Sequence, residues 1–414
     1  MARSFVIVGA GMVGVSVALH LRLRGHEVRL IDRGPPGHGT SFGNAGIIQR
    51  EAVVPYGFPR SPAKLLSVLL RRGADIRYHA SALPGLAPAL ARYWWHSAPT
   101  RHRRIAAAYA TLIAHSLTEH GRLGDLAGAG QLLRKDGWYD LYRSDAGLAQ
   151  GLARAEEARR DHGIPSTALD GDAVARLEPH LQGRMAGAIH WADTWTVLDP
   201  GALVAAHAQA FRAAGGEVIR GEATLRAGGV RGWQAALDGR ALDASDLVLA
   251  AGPWATELSR ELGYRIPMFV KRGYHMHYRM DPARPLGNWI ADLETGYLLA
   301  PMRAGIRLTT GAELARPGTP PTPVQLDMDE AVARRMFPLG DRLDPQPWMG
   351  ARPCMPDMLP VIGAAPRHPG LWFCFGHGHQ GLTMGPASGR LLAELADGDA
   401  PLVDPAPFSP ARFG

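Results

Sequence analysis

The chain opens with a short unbroken apolar run, Phe5-Val6-Ile7-Val8, the pattern of a strand buried on both faces. Among the small residues that follow, Val13, Val17, Leu19, Leu21 and Leu23 predict a helix that ends at Gly25. Val28-Arg29-Leu30-Ile31 predicts a second strand that closes on Asp32. The three elements make a βαβ unit with Gly9-Ala10-Gly11-Met12-Val13-Gly14 at its first turn. In such a turn Gly9 permits the tight bend, Gly11 lets backbone approach a pyrophosphate, and Gly14 brings helix close to strand. The free N–H groups and positive dipole of the helix start, with Met12 and Val13, then face phosphates. Asp32 is placed to accept hydrogen bonds from a ribose hydroxyl pair, with Arg33 beside it.

Further along, Leu65, Leu66, Val68, Leu69 and Leu70 end at Arg71-Arg72, and Leu86, Leu90, Tyr93 and Trp94 recur at helical spacing. An amphipathic helix is predicted from Ile105 through Tyr109, Leu112, Ile113 and Leu117 to about Leu123. Two readings stand for 65–95: core-facing stripes with solvated arginines, which is the plainer one, or contact with a membrane surface through Trp94, Trp95 and the basic flanks. Trp138 to Tyr142 reads as a strand and Ala146 to His162 as a helix. Asp199 is an N-cap, with Pro200 first in the helix that runs to Ala214. Glu217 to Arg220 and Asp246 to Ala251 give two more strands, the second opening onto Gly252-Pro253-Trp254.

From Ile266 to Glu313 the alternation turns antiparallel, through Gly273–Tyr278, Gly296–Leu299 and Ile306–Thr310, with Arg303-Ala304-Gly305 as a hairpin. Pro317 to Pro323 is a breaker-rich linker, and no repeat of fixed period occurs. Glycine turns of the cofactor type thus return late in the chain. A nucleotide domain interrupted by a second, sheet-bearing domain is the expected architecture.

Composition narrows the class. At 414 residues the chain can hold about two domains, and 20% charged residues suit a globular enzyme. The net charge of +7 comes almost wholly from arginines that read as scattered, without interleaved stacking aromatics, so no nucleic-acid partner is expected. Cys354 and Cys374 offer neither a disulfide framework nor a metal site, and no metal is expected. The early first strand and the lack of a long apolar run predict a cytoplasmic protein, with peripheral contact at the inner membrane as the alternative.

Two late stretches carry the strongest chemistry. Gly350-Ala351-Arg352-Pro353-Cys354-Met355-Pro356-Asp357 leads to Leu359-Pro360-Val361-Ile362-Gly363, and Leu371–Phe375 opens onto Gly376-His377-Gly378-His379-Gln380-Gly381 before a helix from about Ala387 to Leu395. With Gly9–Asp32 and Ala251–Trp254, these make the chain resemble the D-amino-acid oxidase type of FAD-dependent oxidoreductases over nearly its full length. Thr40-Ser41-Phe42-Gly43-Asn44-Ala45-Gly46 and the arginine-flanked helical insert look most like the D-amino-acid dehydrogenase branch. Gly43 stands where that branch often has Ala, and Cys354-Met355 and Met358 replace the more usual Thr and Gly.

The resemblance implies an α/β protein: a Rossmann-type FAD-binding domain over 1–54, 146–180, 199–264 and 335–414, with a mixed, antiparallel-sheet substrate domain inserted over 55–145, 181–198 and 265–334. It implies FAD held by Gly9, Gly11, Met12, Val13, Gly14, Asp32, Arg33, Thr40, Ser41, Asn44, Ala45, Gly46, Ala223, Ala251, Gly252, Trp254, Gly378, His379, Gln380, Gly381, Leu382 and Thr383. It implies that Arg352 binds an amino-acid carboxylate. Tyr274 and Tyr297 are candidates to hydrogen-bond that carboxylate or close the pocket, and His377 to contact the flavin or steer substrate. The implied reaction is oxidative deamination of a D-amino acid, with electrons passed to a quinone or another non-oxygen acceptor. Oxidation of a secondary amine such as sarcosine, and a flavin subunit of a heteromeric dehydrogenase, are the alternatives.

Overall fold

A computed structural model describes residues 2–230, 232–237, 240–316 and 318–414; Pro317 of the expected linker lies outside them. The continuous apolar runs gather into a six-stranded sheet ordered Glu217–Arg220, Glu27–Asp32, Ser4–Val8, Asp246–Leu249, Leu371–Phe375 and Val361–Ala364. Its first five strands are parallel and the last is antiparallel. Phe5 and Ile7 face the helices Met12–Leu23, Pro200–Ala213 and Gly381–Asp397, while Val6 and Val8 face a three-stranded meander over 224–244. Both faces are covered, which is why the first strand needs no polar alternation. Asp199 caps its helix as expected, accepting from Ala202 N at 2.9 Å.

The last long helix starts six residues earlier than expected and runs through Pro386. Proline has no N–H for the carbonyl four residues back, Leu382 O. His120 Nε2 donates to that oxygen instead, at 2.8 Å, so the helix survives its proline. Gly385 and Gly389 then let this helix lie against Met12–Leu23: a Cβ on either would stand 2.6 Å from Met12 Cγ or 2.7 Å from Ser16 C.

A ten-stranded mixed sheet forms the second unit, in the order Ile76–Tyr78, Ala312–Leu314, Phe269–Tyr278, Gly305–Thr309, Tyr297–Met302, Ile290–Asp292, Trp138–Tyr142, Gly187–Trp191 and Thr167–Asp170, with Trp348–Cys354 also on Phe269–Tyr278. Tyr274, Met276, Tyr278, Tyr297, Leu299, Ile306 and Leu308 pack on its outer face with the helix Val324–Met336. Alternation therefore sends Lys271, His275, His277, Arg307 and Arg352 to the face that looks toward the first unit.

Two expected boundaries change. Residues 146–180 belong with the second sheet: Thr167–Asp170 pairs with Gly187–Trp191, and the helices Asp145–His162 and Gly171–Leu177 pack on the same strands. Trp348–Cys354, expected in the cofactor domain, is also a strand of that sheet. An apolar stripe says that a helix is covered, not which sheet covers it. The single helix expected over 105–123 is two, Pro99–Ile113 and Ser116–Leu126, both docked on Gly381–Asp397. Helix Pro62–Leu69 has no buried residue, so the core-facing reading fails there; Leu66 and Leu69 are 53% and 64% exposed.

Candidate active site

Between the two sheets lies a cavity of about 1520 Å³. At one end the glycine turn shows why its residues are glycine. Gly9 has φ +112°, and a Cβ there would stand 2.4 Å from Ala250 O. A Cβ on Gly14 would stand 1.8 Å from Gly9 O, so Gly14 is a packing residue and not part of the cavity wall. Gly11 meets only Ser41 Oγ, at 3.3 Å, and leaves its backbone open to the cavity. Asp32 closes the turn: one carboxylate oxygen accepts from Ala10 N at 2.7 Å, the other from Gly34 N at 2.9 Å. Arg33 stacks on Trp254, its guanidinium carbon 3.9 Å from the ring centroid, and Ala223, Ala251 and Gly252 continue the wall.

The 40–46 loop bridges the two units. Ser41 Oγ accepts from Met12 N at 3.0 Å, Thr40 Oγ1 donates to Ala351 O at 3.1 Å, and Asn44 Oδ1 accepts from Gly46 N at 2.8 Å. Arg307, absent from the expected site, holds this loop from the second sheet, donating to Phe42 O at 3.0 Å and Asn44 O at 2.6 Å. Its Nε lies 3.0 Å from His277 Nε2, and His277 Nδ1 lies 2.8 Å from Asp344. Burial lowers the Arg307 pKa to about 10. Gly43 is explained by Trp348: a Cβ there would fall 1.7 Å from the indole. Gly46 and Thr383 stand behind the wall; a Cβ on Gly46 would meet Val197 O at 2.5 Å, and Thr383 Oγ1 donates to Ile47 O at 3.2 Å. Ala45, Gly378, His379, Gln380, Gly381 and Leu382 line the cavity.

At the other end Arg352 donates to Gly311 O at 2.7 Å and Thr310 O at 3.1 Å, and has no carboxylate partner among the described residues. Burial holds its pKa below the usual arginine value. Lys271 sits opposite it in the strand register, 3.2 Å from Tyr93 Oη, also without an acid among the described residues. The Cys354 thiol beside them is pushed up by burial.

Three expected catalytic side chains are otherwise engaged. The Tyr274 hydroxyl donates to Glu313 at 2.6 Å and accepts from Thr322 N at 2.9 Å, within a buried Arg272–Glu313 network. The Tyr297 hydroxyl lies 3.6 Å from Met336 Sδ. Both rings border the cavity but belong to the outer-face core, because their parity in the strand is opposite to that of Lys271. His377 Nε2 pairs with Ser388 Oγ at 2.9 Å, and burial depresses its pKa to about 3, so it is a neutral brace between loop and helix. Lys271, Arg307 and Trp348 were missed, as were the cavity-lining Gln49, Glu51 and Asp140. For Arg307 the signal existed, a cation between Ile306 and Leu308 in a short strand; for Lys271 it was blurred, because Arg272, His275 and His277 share its strand.

Backbone left open to the cavity at Gly11, an acid at the second strand's end and a glycine-rich helix start make a dinucleotide site, continuous with a second compartment that reaches Arg352 and Lys271, neither of which has an acid partner among the described residues. FAD fits the residues present. The sequence pattern of the FAD dependent oxidoreductase family (DAO) matches residues 4–395, and the chain belongs to that family. It is an FAD-dependent oxidoreductase.

Among named relatives it is 30% identical to a D-amino-acid oxidase of Bradyrhizobium diazoefficiens and 29% identical to a D-amino acid dehydrogenase of Rhizobium johnstonii, each over 99% of both chains. Among solved structures it is similar to glycine oxidase from Geobacillus kaustophilus (TM-score 0.73, 23% identity, 99% and 98% of the two chains). L-proline dehydrogenase from P. horikoshii shares the fold at a TM-score of 0.74 and 17% identity, over 100% and 98% of the two chains.

Proposed function

We propose that the protein oxidatively deaminates D-amino acids, removing hydride from Cα, with electrons passed on to a quinone or another non-oxygen acceptor. The observation that carries this reading is Arg352, a half-buried guanidinium on the cavity wall whose partners are two backbone carbonyls. A planar fork of this kind grips a carboxylate through two parallel bonds. Lys271 adds positive potential on the same side. The Gly9 turn, Asp32 and the 40–46 loop are the residues placed to hold FAD, which when bound supplies the two-electron acceptor. The protein's own contribution is orientation: fixing the carboxylate aligns Cα–H, and an apolar surround favours the neutral amine. The imine product hydrolyses in water to a 2-oxo acid and ammonia.

A non-oxygen acceptor draws support from the dehydrogenases among the relatives and from the outer surface beside the cavity. Residues 52–118 contain nine Lys or Arg and one acid, Asp75, so this segment carries more positive charge than the +7 of the whole chain. The excess comes from a lack of acids in this segment; the arginines themselves are spread along the chain at nearly even density. The same segment exposes Leu66, Leu69, Leu70, Trp94 and Trp95. Among the described residues no helix is long and apolar enough to cross a membrane, so contact would be peripheral.

The test is single-turnover anaerobic flavin bleaching by an amino acid and by its decarboxylated amine. Removing one partner of a desolvated charge pair costs about 2–5 kcal/mol. Arg352→Ala is expected to retain FAD and to lose orders of magnitude with the amino acid, far less with the amine; Arg352→Lys should bleach slowly. Equal losses on both would place Arg352 in the fold and not on the substrate.

A further inference from the structure

The cavity has a second charged region that the reaction above does not use. Glu51 and Asp140 both line it, although most of the wall around them is apolar or aromatic. Asp140 is 9% exposed and accepts from Trp191 Nε1 at 3.0 Å through one oxygen. Glu51 accepts from Gln49 Nε2 at 2.8 Å and from the Thr194 hydroxyl. Gln49 in turn accepts from Gln380 Nε2 at 2.6 Å. The Gln380 side chain, on a residue 1% exposed, keeps its Oε1 without any donor among the described residues. Two carboxylates thus border one compartment, Glu51 with a donor on each oxygen and Asp140 with a donor on one.

Burial raises the pKa of Glu51, and burial with the Glu51 charge nearby pushes Asp140 up to about 7. Two carboxylates in one largely apolar compartment are unfavourable until a cation joins them. Arg154 lines the same cavity, but it is exposed, bonds the Tyr142 hydroxyl at 3.0 Å and makes no ion pair with Asp140 among the described residues. Arg352, the carboxylate anchor on the same cavity, bonds Gly311 O and Thr310 O and makes no ion pair with either acid among the described residues.

We infer that Glu51 and Asp140 form a subsite for the cationic side chain of the substrate. The ligand is then a D-amino acid with a basic group at the end of a long chain, of the lysine, ornithine or arginine type. Its carboxylate sits on Arg352 and its distal cation on the acid pair. This inference rests on the amino-acid reading above.

The experiment uses the FAD-loaded protein and anaerobic single-turnover bleaching with D-lysine, D-arginine and D-norleucine, the last being uncharged and of similar length to lysine. We expect D-lysine or D-arginine to half-saturate at a concentration at least tenfold below D-norleucine. Glu51→Gln and Asp140→Asn, which keep the shape and an acceptor for Thr194 or Trp191, should each shrink that preference at least fivefold. Equal half-saturation by D-norleucine and both basic amino acids in the unaltered protein overturns the subsite and leaves the amino-acid reading standing. Bleaching by dithionite but by none of the three overturns both. The comparison within the unaltered protein decides the matter even where a variant fails to fold.

Discussion

Asp32 stands in two roles that one substitution separates poorly and two separate well. Its carboxylate ties Ala10 N and Gly34 N, and so shapes the turn as well as offering a charged acceptor to the cavity. Hydrogen bonds to a charged group contribute about 1.5–3 kcal/mol. Asp32→Ala is therefore expected to raise the FAD dissociation constant at least tenfold, read by fluorescence on titration of the apoprotein. Asp32→Asn, which keeps one acceptor oxygen, should fall between. An unchanged constant in the alanine variant would remove Asp32 from the cofactor site. The glycines of this turn and Asp32 were legible because each answers to a local constraint, a positive φ or a close approach. Gly43 was legible only as a departure, since its reason, Trp348, lies far off in sequence. Tyr274 and Tyr297 were chosen by residue type, when strand parity already set them opposite to Lys271 and Arg307.

At the level of elements, helix Pro62–Leu69 shows what periodicity leaves open. Its leucines repeat as a core stripe would, yet none is buried. Arg60 stacks on Trp94 at 4.2 Å and Arg101 on Trp95 at 3.7 Å, which joins cations to aromatic rings in the manner of an interfacial surface. We expect the protein to sediment with vesicles containing anionic lipid at low salt and to be released as salt rises. Leu66→Asp with Leu70→Asp, at exposed positions outside the cavity lining, should abolish sedimentation without loss of FAD. Failure to sediment with such vesicles would assign the face to another partner or to none. Most strands and the Asp199 cap were legible from the sequence. The helix that passes through Pro386 was not, because the group that rescues it, His120, comes from another helix.

The whole molecule carries an acid-sensitive interior. Burial holds His20, His207 and His377 at pKa values of about 3, His120 at about 4 and His275 at about 2, against an ordinary 6.5. Between those values the unfolded chain binds protons that the native state refuses, so this stability is complete above pH 6.5 and is lost as pH falls below it. Asp140 and Asp329, raised by burial to about 7 and about 8, act in the opposite sense: their stabilisation is full below about 3.8 and fades as pH rises toward those values. Five histidines outweigh two acids below pH 6.5, and only the acids remain above it. The melting temperature should therefore rise from pH 4 to a maximum near 6.5; a maximum near pH 4 would contradict this balance. The contact between helices Met12–Leu23 and Gly381–Asp397 has a further consequence, for synthesis. The glycine turn is formed by the earliest residues of the chain, but the helix that braces it is among the last elements. A nascent chain thus holds half of a nucleotide site until residues 381–397 have been made. Tight retention of FAD is then expected only of a chain in which helix Gly381–Asp397 has docked on Met12–Leu23.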